Sequence, residues 1–123
     1  MLAYLYVFIG GGLGALFRFL IGKSALALLG NNFPYGTIVS NFLSCLLLGL
    51  ILSYSYESKW LTENVKLFVL VGFCGGFSTF STFSYETVEL IKSGNTILAV
   101  INVFASVILC FGIIYFLISK EKI

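Results

Sequence analysis

The chain contains no histidine. That removes the commonest catalytic base and the usual zinc and haem ligand. Its three cysteines, Cys45, Cys74 and Cys110, form no CxxC motif and all fall within apolar stretches, where cysteine serves as a small buried hydrophobe. No nucleophile–base pair or metal cluster stands out, so an enzyme is not expected. Charge is scarce too. Only 10% of residues are charged, and the net charge of +2 is too small to argue for nucleic acid. No lysine or arginine precedes the first apolar run and no convincing cleavage site follows it. That run is read as a retained membrane span, not a signal peptide.

What the chain has in abundance is apolar surface. Of its 123 residues 59% are hydrophobic, and the mean hydropathy is +1.07. A soluble domain of this length could not bury so much. A helix needs about 20 apolar residues to cross the hydrocarbon core. Four segments qualify: about 3–22, with an extension through Leu29 left open, then about 35–55, 65–91 and 95–118. The connections, 23–34 with the lone Pro34, 56–64 and 92–94, leave no room for a soluble domain. The expected fold class is an all-α membrane protein of four transmembrane helices, one domain over residues 1–123. By the positive-inside rule, Lys59, Lys66, Lys120 and Lys122 on one side oppose Arg18, Lys23 and Lys92 on the other. Four against three is nearly balanced, which makes dual topology plausible, with two antiparallel copies in one membrane.

The third segment departs from a plain span. Gly72-Phe73-Cys74-Gly75-Gly76-Phe77-Ser78-Thr79-Phe80-Ser81-Thr82-Phe83-Ser84-Tyr85-Glu86 gathers glycines, hydroxyls, three phenylalanines at three-residue spacing and a carboxylate. Glycines weaken a helix, and hydroxyls and carboxylates are costly in lipid. The stretch is expected to break its helix near the membrane midplane and to face an ion, because interrupted helices there present free carbonyls. Taken singly, the glycines read as packing or a kink and the phenylalanines as a greasy stripe. Glu86 is open between an interface carboxylate, a hydroxyl's partner and a proton carrier.

The other segments carry polar stripes at four-residue spacing. In segment one these are Gly10, Gly14, Arg18 and Gly22, a packing face with a guanidinium that either faces protein and water or snorkels to the interface. Segment two has Thr37, Asn41 and Cys45, with Ser40 and Ser44 adjacent. Segment four has Asn102, Ser106 and Cys110. Each stripe reads either as interhelical hydrogen bonding or as the lining of a pathway. The candidate pathway offers hydroxyl and amide donors and phenyl rings, but no ring of acids such as a cation pore shows. Donors without carboxylates, and ring edges that are positive, suit a small anion.

In these residues the sequence resembles the Fluc (CrcB-type) family of small fluoride channels over essentially the whole chain. Gly11–Phe19 resembles the family's first-helix pattern, and Gly36-Thr37-Ile38-Val39-Ser40-Asn41, continuing to Gly49, its second. The 72–86 stretch is very close to the third-helix signature. The resemblance implies an antiparallel dual-topology homodimer, or a heterodimer of paralogues, that passively exports fluoride across the cell membrane and relieves fluoride toxicity. It implies ring edges of Phe80 and Phe83 against fluoride, Asn41 as the facing donor and Thr37 in the same pathway. Ser81 and Thr82 would add hydroxyls, and Ser106, with Asn102 less firmly, a fourth-helix track. Arg18 would make a vestibule positive. Gly75 and Ser78 would offer backbone carbonyls to a structural sodium ion at the dimer centre. Ser78 stands where the family often has threonine, Ser40 and Ser44 replace an aliphatic residue and a glycine, and Cys110 falls where a hydroxyl is expected. The competing reading is a small proton-coupled drug antiporter of the same size. It wants an embedded glutamate in segment one, where this chain has Arg18.

Overall fold

The computed structural model describes residues 1–54 and 62–120. Four helical spans are long and apolar enough to cross a membrane: Leu2–Leu29, Tyr35–Tyr54, Glu63–Lys92 and Thr96–Ser119. Among the described residues there is no strand. The expected all-helical, four-span architecture is what the chain adopts. Lys59 and Lys122, which enter the charge count, lie outside the described residues.

Helix α1, Leu2–Leu29, takes the longer of the two lengths left open by its sequence. Nothing in it breaks a helix until Gly30, whose positive φ of 80° closes the end while its N–H bonds the Leu26 carbonyl at 3.0 Å. Helix α2 is Tyr35–Tyr54. The third span is composite. A short α3, Glu63–Lys66, is capped by Thr62, whose hydroxyl accepts from Val65 N–H at 3.3 Å. It runs into a π-helical stretch, Leu67–Cys74, and a last α turn, α4, Gly75–Phe77. Ser78 is then extended (φ −91°, ψ 159°), and α5, Ser81–Lys92, begins three residues on. Gly94, with φ 89°, makes the tight turn into α6, Thr96–Lys120.

Two seams hold the bundle. In the first, α1 runs parallel to the third span with their backbones nearly touching. A Cβ on Gly10 would overlap the Phe68 carbonyl and lie 3.0 Å from Phe73 N; one on Gly14 would overlap the Phe73 carbonyl and lie 2.8 Å from Phe77 N. Gly72 and Gly76 answer from the other side, against Gly10 and Gly11. Only glycine lets two helices approach so closely, and the gain is backbone dispersion and Cα–H···O contact. The π-helical stretch coincides with this contact. Farther along the same face of α1, Gly22 meets Gly36 of α2, at 2.9 Å from a Cβ placed there.

In the second seam α2 packs on α6, also in parallel. Cys45 lies beside Cys110, and one turn on Gly49 lies against Ile114 and Leu117. Stepping back in fours along both helices puts Asn41 level with Ser106, and Thr37 level with Asn102. The two polar stripes read separately from the sequence therefore share one seam. Their burial agrees: Thr37 is 9% exposed, Asn102 1% and Ser106 7%.

Candidate functional site

The site grows from the interruption between α4 and α5. A helix end leaves its last four carbonyls without intrahelical donors, and the next helix leaves its first four N–H groups without acceptors. Here both sets meet within a few residues, and neighbouring side chains serve them. Asn41 on α2 does most. Its Oδ1 accepts from Thr79 N–H at 2.8 Å, and its Nδ2 donates to the Thr79 carbonyl at 3.2 Å. One side-chain amide thus pairs with the N–H and the C=O of one residue, bridging two consecutive peptides. In an uninterrupted helix the Thr79 N–H would bond the Gly75 carbonyl; its donation to Asn41 releases Gly75 from that bond. The Asn41 amide keeps its second N–H for another acceptor.

The remaining ends are served in kind. The Cys74 carbonyl accepts from Ser44 Oγ at 2.9 Å, from Ser78 Oγ at 3.0 Å and from Ser78 N–H at 3.1 Å. Arg18 Nε donates to the Gly76 carbonyl at 3.1 Å. Its guanidinium therefore lies at the negative end of the α3–α4 half-helix, where a positive charge is favoured. On the α5 side, Thr79 Oγ1 accepts from Thr82 N–H at 3.2 Å and sits 3.3 Å from Ser81 Oγ. Ser84 and Thr87 hydroxyls donate back to the carbonyls four residues earlier, both at 2.8 Å.

Phenylalanines at equal spacing end up in different places. Phe77 is 6% exposed and packs against Phe73 with the rings tilted 55° and centroids 5.5 Å apart, and Phe17 is edge-on to Phe73 at 5.6 Å. Past the interruption, Phe80 is 80% exposed and tilts 45° against the half-buried Phe83, centroids 5.8 Å apart. The first group is core. The second presents ring surface outward from the chain.

Beside the interruption opens a cavity of about 1010 Å³, lined among others by Arg18, Thr37, Ser40, Thr79, Thr82 and Glu86. Two of its lining residues, Ser40 and Glu86, each hold a buried oxygen, Oγ and Oε1, with no hydrogen-bond partner within the protein. Unsatisfied buried polar atoms are costly.

The residues singled out from the sequence thus fall into three places. Arg18, Thr37 and Thr82 line the cavity. Asn41, Ser78 and Gly75 belong to the interruption, with Gly75 exposed and nothing within 4 Å of a Cβ built there. Phe80, Phe83 and Ser81 lie on the outward side, clear of the cavity lining. Ser106 stands apart, in the α2–α6 seam. There its hydroxyl reaches Asn102 Oδ1 at 3.5 Å, and Asn102 in turn donates to Thr87 Oγ1 at 2.9 Å. Sequence reasoning assigned no individual task to Thr79 or Ser44. The signal available was position: Thr79 is the third residue after the glycine cluster, and Ser44 lies three residues from Asn41 on the neighbouring face.

The profile of the family described as CrcB-like protein, Camphor Resistance (CrcB), matches residues 5–118. A protein of Clostridium perfringens named Fluoride-specific ion channel FluC is 46% identical over 103 residues, covering 84% of this chain and 80% of the relative. Proteins of the same name from Geobacter metallireducens and Dehalococcoides mccartyi are 40% identical over 110 residues and 41% identical over 100. They cover 89% and 81% of this chain, and 89% and 77% of their own lengths.

Proposed function

The chain belongs to the CrcB-like family, and from that premise we propose that it is a fluoride-selective channel that exports fluoride passively across the cell membrane. The observation that carries the reading is the extent of the match: residues 5–118 take in nearly all of the four spans and every residue of the site. The proton-coupled antiporter finds no support, since α1 carries no acid at all.

The geometry suits the task. A small anion holds its water tightly, so a pathway must offer donors in exchange. Arg18 sets a positive potential at the cavity, and Thr37, Thr82 and their neighbours supply hydroxyls. Asn41 is held in place by two bonds to Thr79 and has one N–H to give. The positive edges of Phe80 and Phe83 complete a surface that favours an anion without binding it through a full charge. Weak sites in series permit both entry and exit. Ser106, level with Asn41, extends the track on α6.

The functional unit in this reading is an antiparallel homodimer. What supports it is the outward face: Phe80 at 80% exposure beside hydroxyls is a poor lipid surface, and Gly75 opens onto empty space. Two copies would bring two interruptions to the centre of the membrane. Carbonyls of Gly75 and Ser78 would hold a sodium ion there, and the released Gly75 carbonyl and extended Ser78 backbone fit such a ligand. When bound, that ion supplies a fixed positive charge and ties the subunits.

Reconstituted liposomes test the function. Purified protein should release fluoride and retain chloride, and Phe80→Ile should abolish the flux while the assembly remains intact. Rapid chloride release, or undiminished fluoride release from the Phe80 variant, would overturn the proposed selectivity or the proposed site.

A further inference from the structure

Cys45 on α2 and Cys110 on α6 lie next to each other across the α2–α6 seam, close enough for their thiols to interact. The backbone agrees independently. One turn on, Gly49 draws the helices together, so that a Cβ there would lie 2.9 Å from Leu117 Cδ1 and 3.6 Å from Ile114 Cα. Neither cysteine is in a disulfide, and both are partly buried. The third cysteine, Cys74, lies on another helix and is 4% exposed.

We propose that Cys45 and Cys110 form a two-thiolate site for a soft, two-coordinate divalent cation, for which mercuric ion is the probe. Soft thiolates select soft metals. Among the described residues no group of three or more metal-ligating side chains comes together. A four-coordinate ion such as zinc would therefore be left short of ligands, and a linear two-coordinate one would not. Charge decides the rest. Each S–H gives up its proton to solvent, two S–metal bonds form, and no electron is transferred. Two thiolates and a divalent cation make a neutral product, the state a membrane-embedded site tolerates, whereas a monovalent soft ion would leave a buried negative charge. The bridge pins α2 to α6 one turn beyond Asn41 and Ser106. This inference does not depend on the channel reading.

The test is a titration of the purified full-length protein in detergent with mercuric chloride. Thiolate-to-mercury absorption and intact mass are the readouts. One mercury per chain should add with loss of two hydrogens, and Cys45 and Cys110 should together become resistant to N-ethylmaleimide. Against competing glutathione, Cys45→Ser and Cys110→Ser should each lose mercury at glutathione concentrations that the parent withstands, and Cys74→Ser should retain it like the parent. A chloromercury adduct on a single thiol, retention by the Cys45 or Cys110 variant as strong as the parent's, or protection that pairs Cys74 with either thiol overturns the proposal. The alkylation pattern on the unmutated protein decides even where a variant folds poorly.

Discussion

The two seams of the bundle solve the same packing problem by opposite means. Along α1 and the third span, Gly10, Gly14, Gly72 and Gly76 remove side chains altogether, and backbone lies on backbone. Along α2 and α6, side chains stay and are polar: Thr37, Asn41 and Cys45 level with Asn102, Ser106 and Cys110. Bringing helices together in lipid gains no hydrophobic energy, so association rests on contact and hydrogen bonds. The glycine seam uses the first and is rigid by crowding. The polar seam uses the second and keeps groups that an ion or a metal can meet. The interruption at Ser78 lies where the two cooperate: Arg18, from the helix of the glycine seam, and Asn41 and Ser44, from the polar seam, bond the same few peptides.

The largest effect should come from breaking the glycine seam. In Gly10→Ala/Gly14→Ala each added methyl would overlap a carbonyl of the facing backbone, which cannot yield as a flexible side chain would. Overpacking costs about 1–3 kcal/mol per site, and the pair should abolish recovery of monodisperse protein on size-exclusion chromatography. Normal recovery and thermal stability would show that the backbones do not press together here.

Next comes Asn41→Ala, aimed at the junction between the seams. It leaves the N–H and carbonyl of Thr79 without their partner, at about 1–3 kcal/mol for an unsatisfied buried group. Midpoint temperature in detergent should fall and fluoride flux should drop at least about tenfold, in line with a loss of roughly 1.4 kcal/mol or more from the pathway. Asn41→Asp separates the two roles, because it keeps an acceptor for Thr79 N–H and loses both donors. Full flux in the aspartate variant would remove Asn41 from the pathway and leave it a structural partner only.

How much of this was legible in the sequence depended on whether a residue's partner was near in the chain. The four spans were readable from length and hydropathy, with the end of α1 left open between residue 22 and Leu29. The glycine face of α1 was readable as a packing face, because four-residue spacing is a property of one helix. Which backbone it would meet was not. The three phenylalanines show the limit best. A shared face for Phe77, Phe80 and Phe83 presumes one continuous helix, and at Ser78 the backbone is extended, so Phe77 goes to the core and Phe80 outward. The π-helical stretch left no composition cue. The facing of the Asn41 and Ser106 stripes needed the parallel register of α2 and α6, which only Gly49 and the thiol pair reveal.

A smaller effect should follow Ser44→Ala. The Cys74 carbonyl loses one of three donors but keeps the Ser78 hydroxyl and N–H. A loss of about 1 kcal/mol or less is expected, seen as a small drop in midpoint temperature with flux retained. A collapse of flux instead would mean that the polar seam sets the geometry of the interruption more tightly than the redundancy of donors suggests.

The smallest effect makes the sharpest contrast. Gly12 is two residues from Gly10 in the same glycine run, yet a Cβ there meets nothing within 4 Å. Within the single chain, Gly12→Ala should be neutral or gain a few tenths of a kcal/mol up to about 1 kcal/mol, because alanine holds a helix better than glycine. Gly10→Ala and Gly12→Ala should therefore diverge in thermal stability although composition and propensity change identically. Equal loss at both would place another surface against the Gly12 face, and the only occupant dense enough to refuse a methyl there is a second protein chain, since lipid would give way.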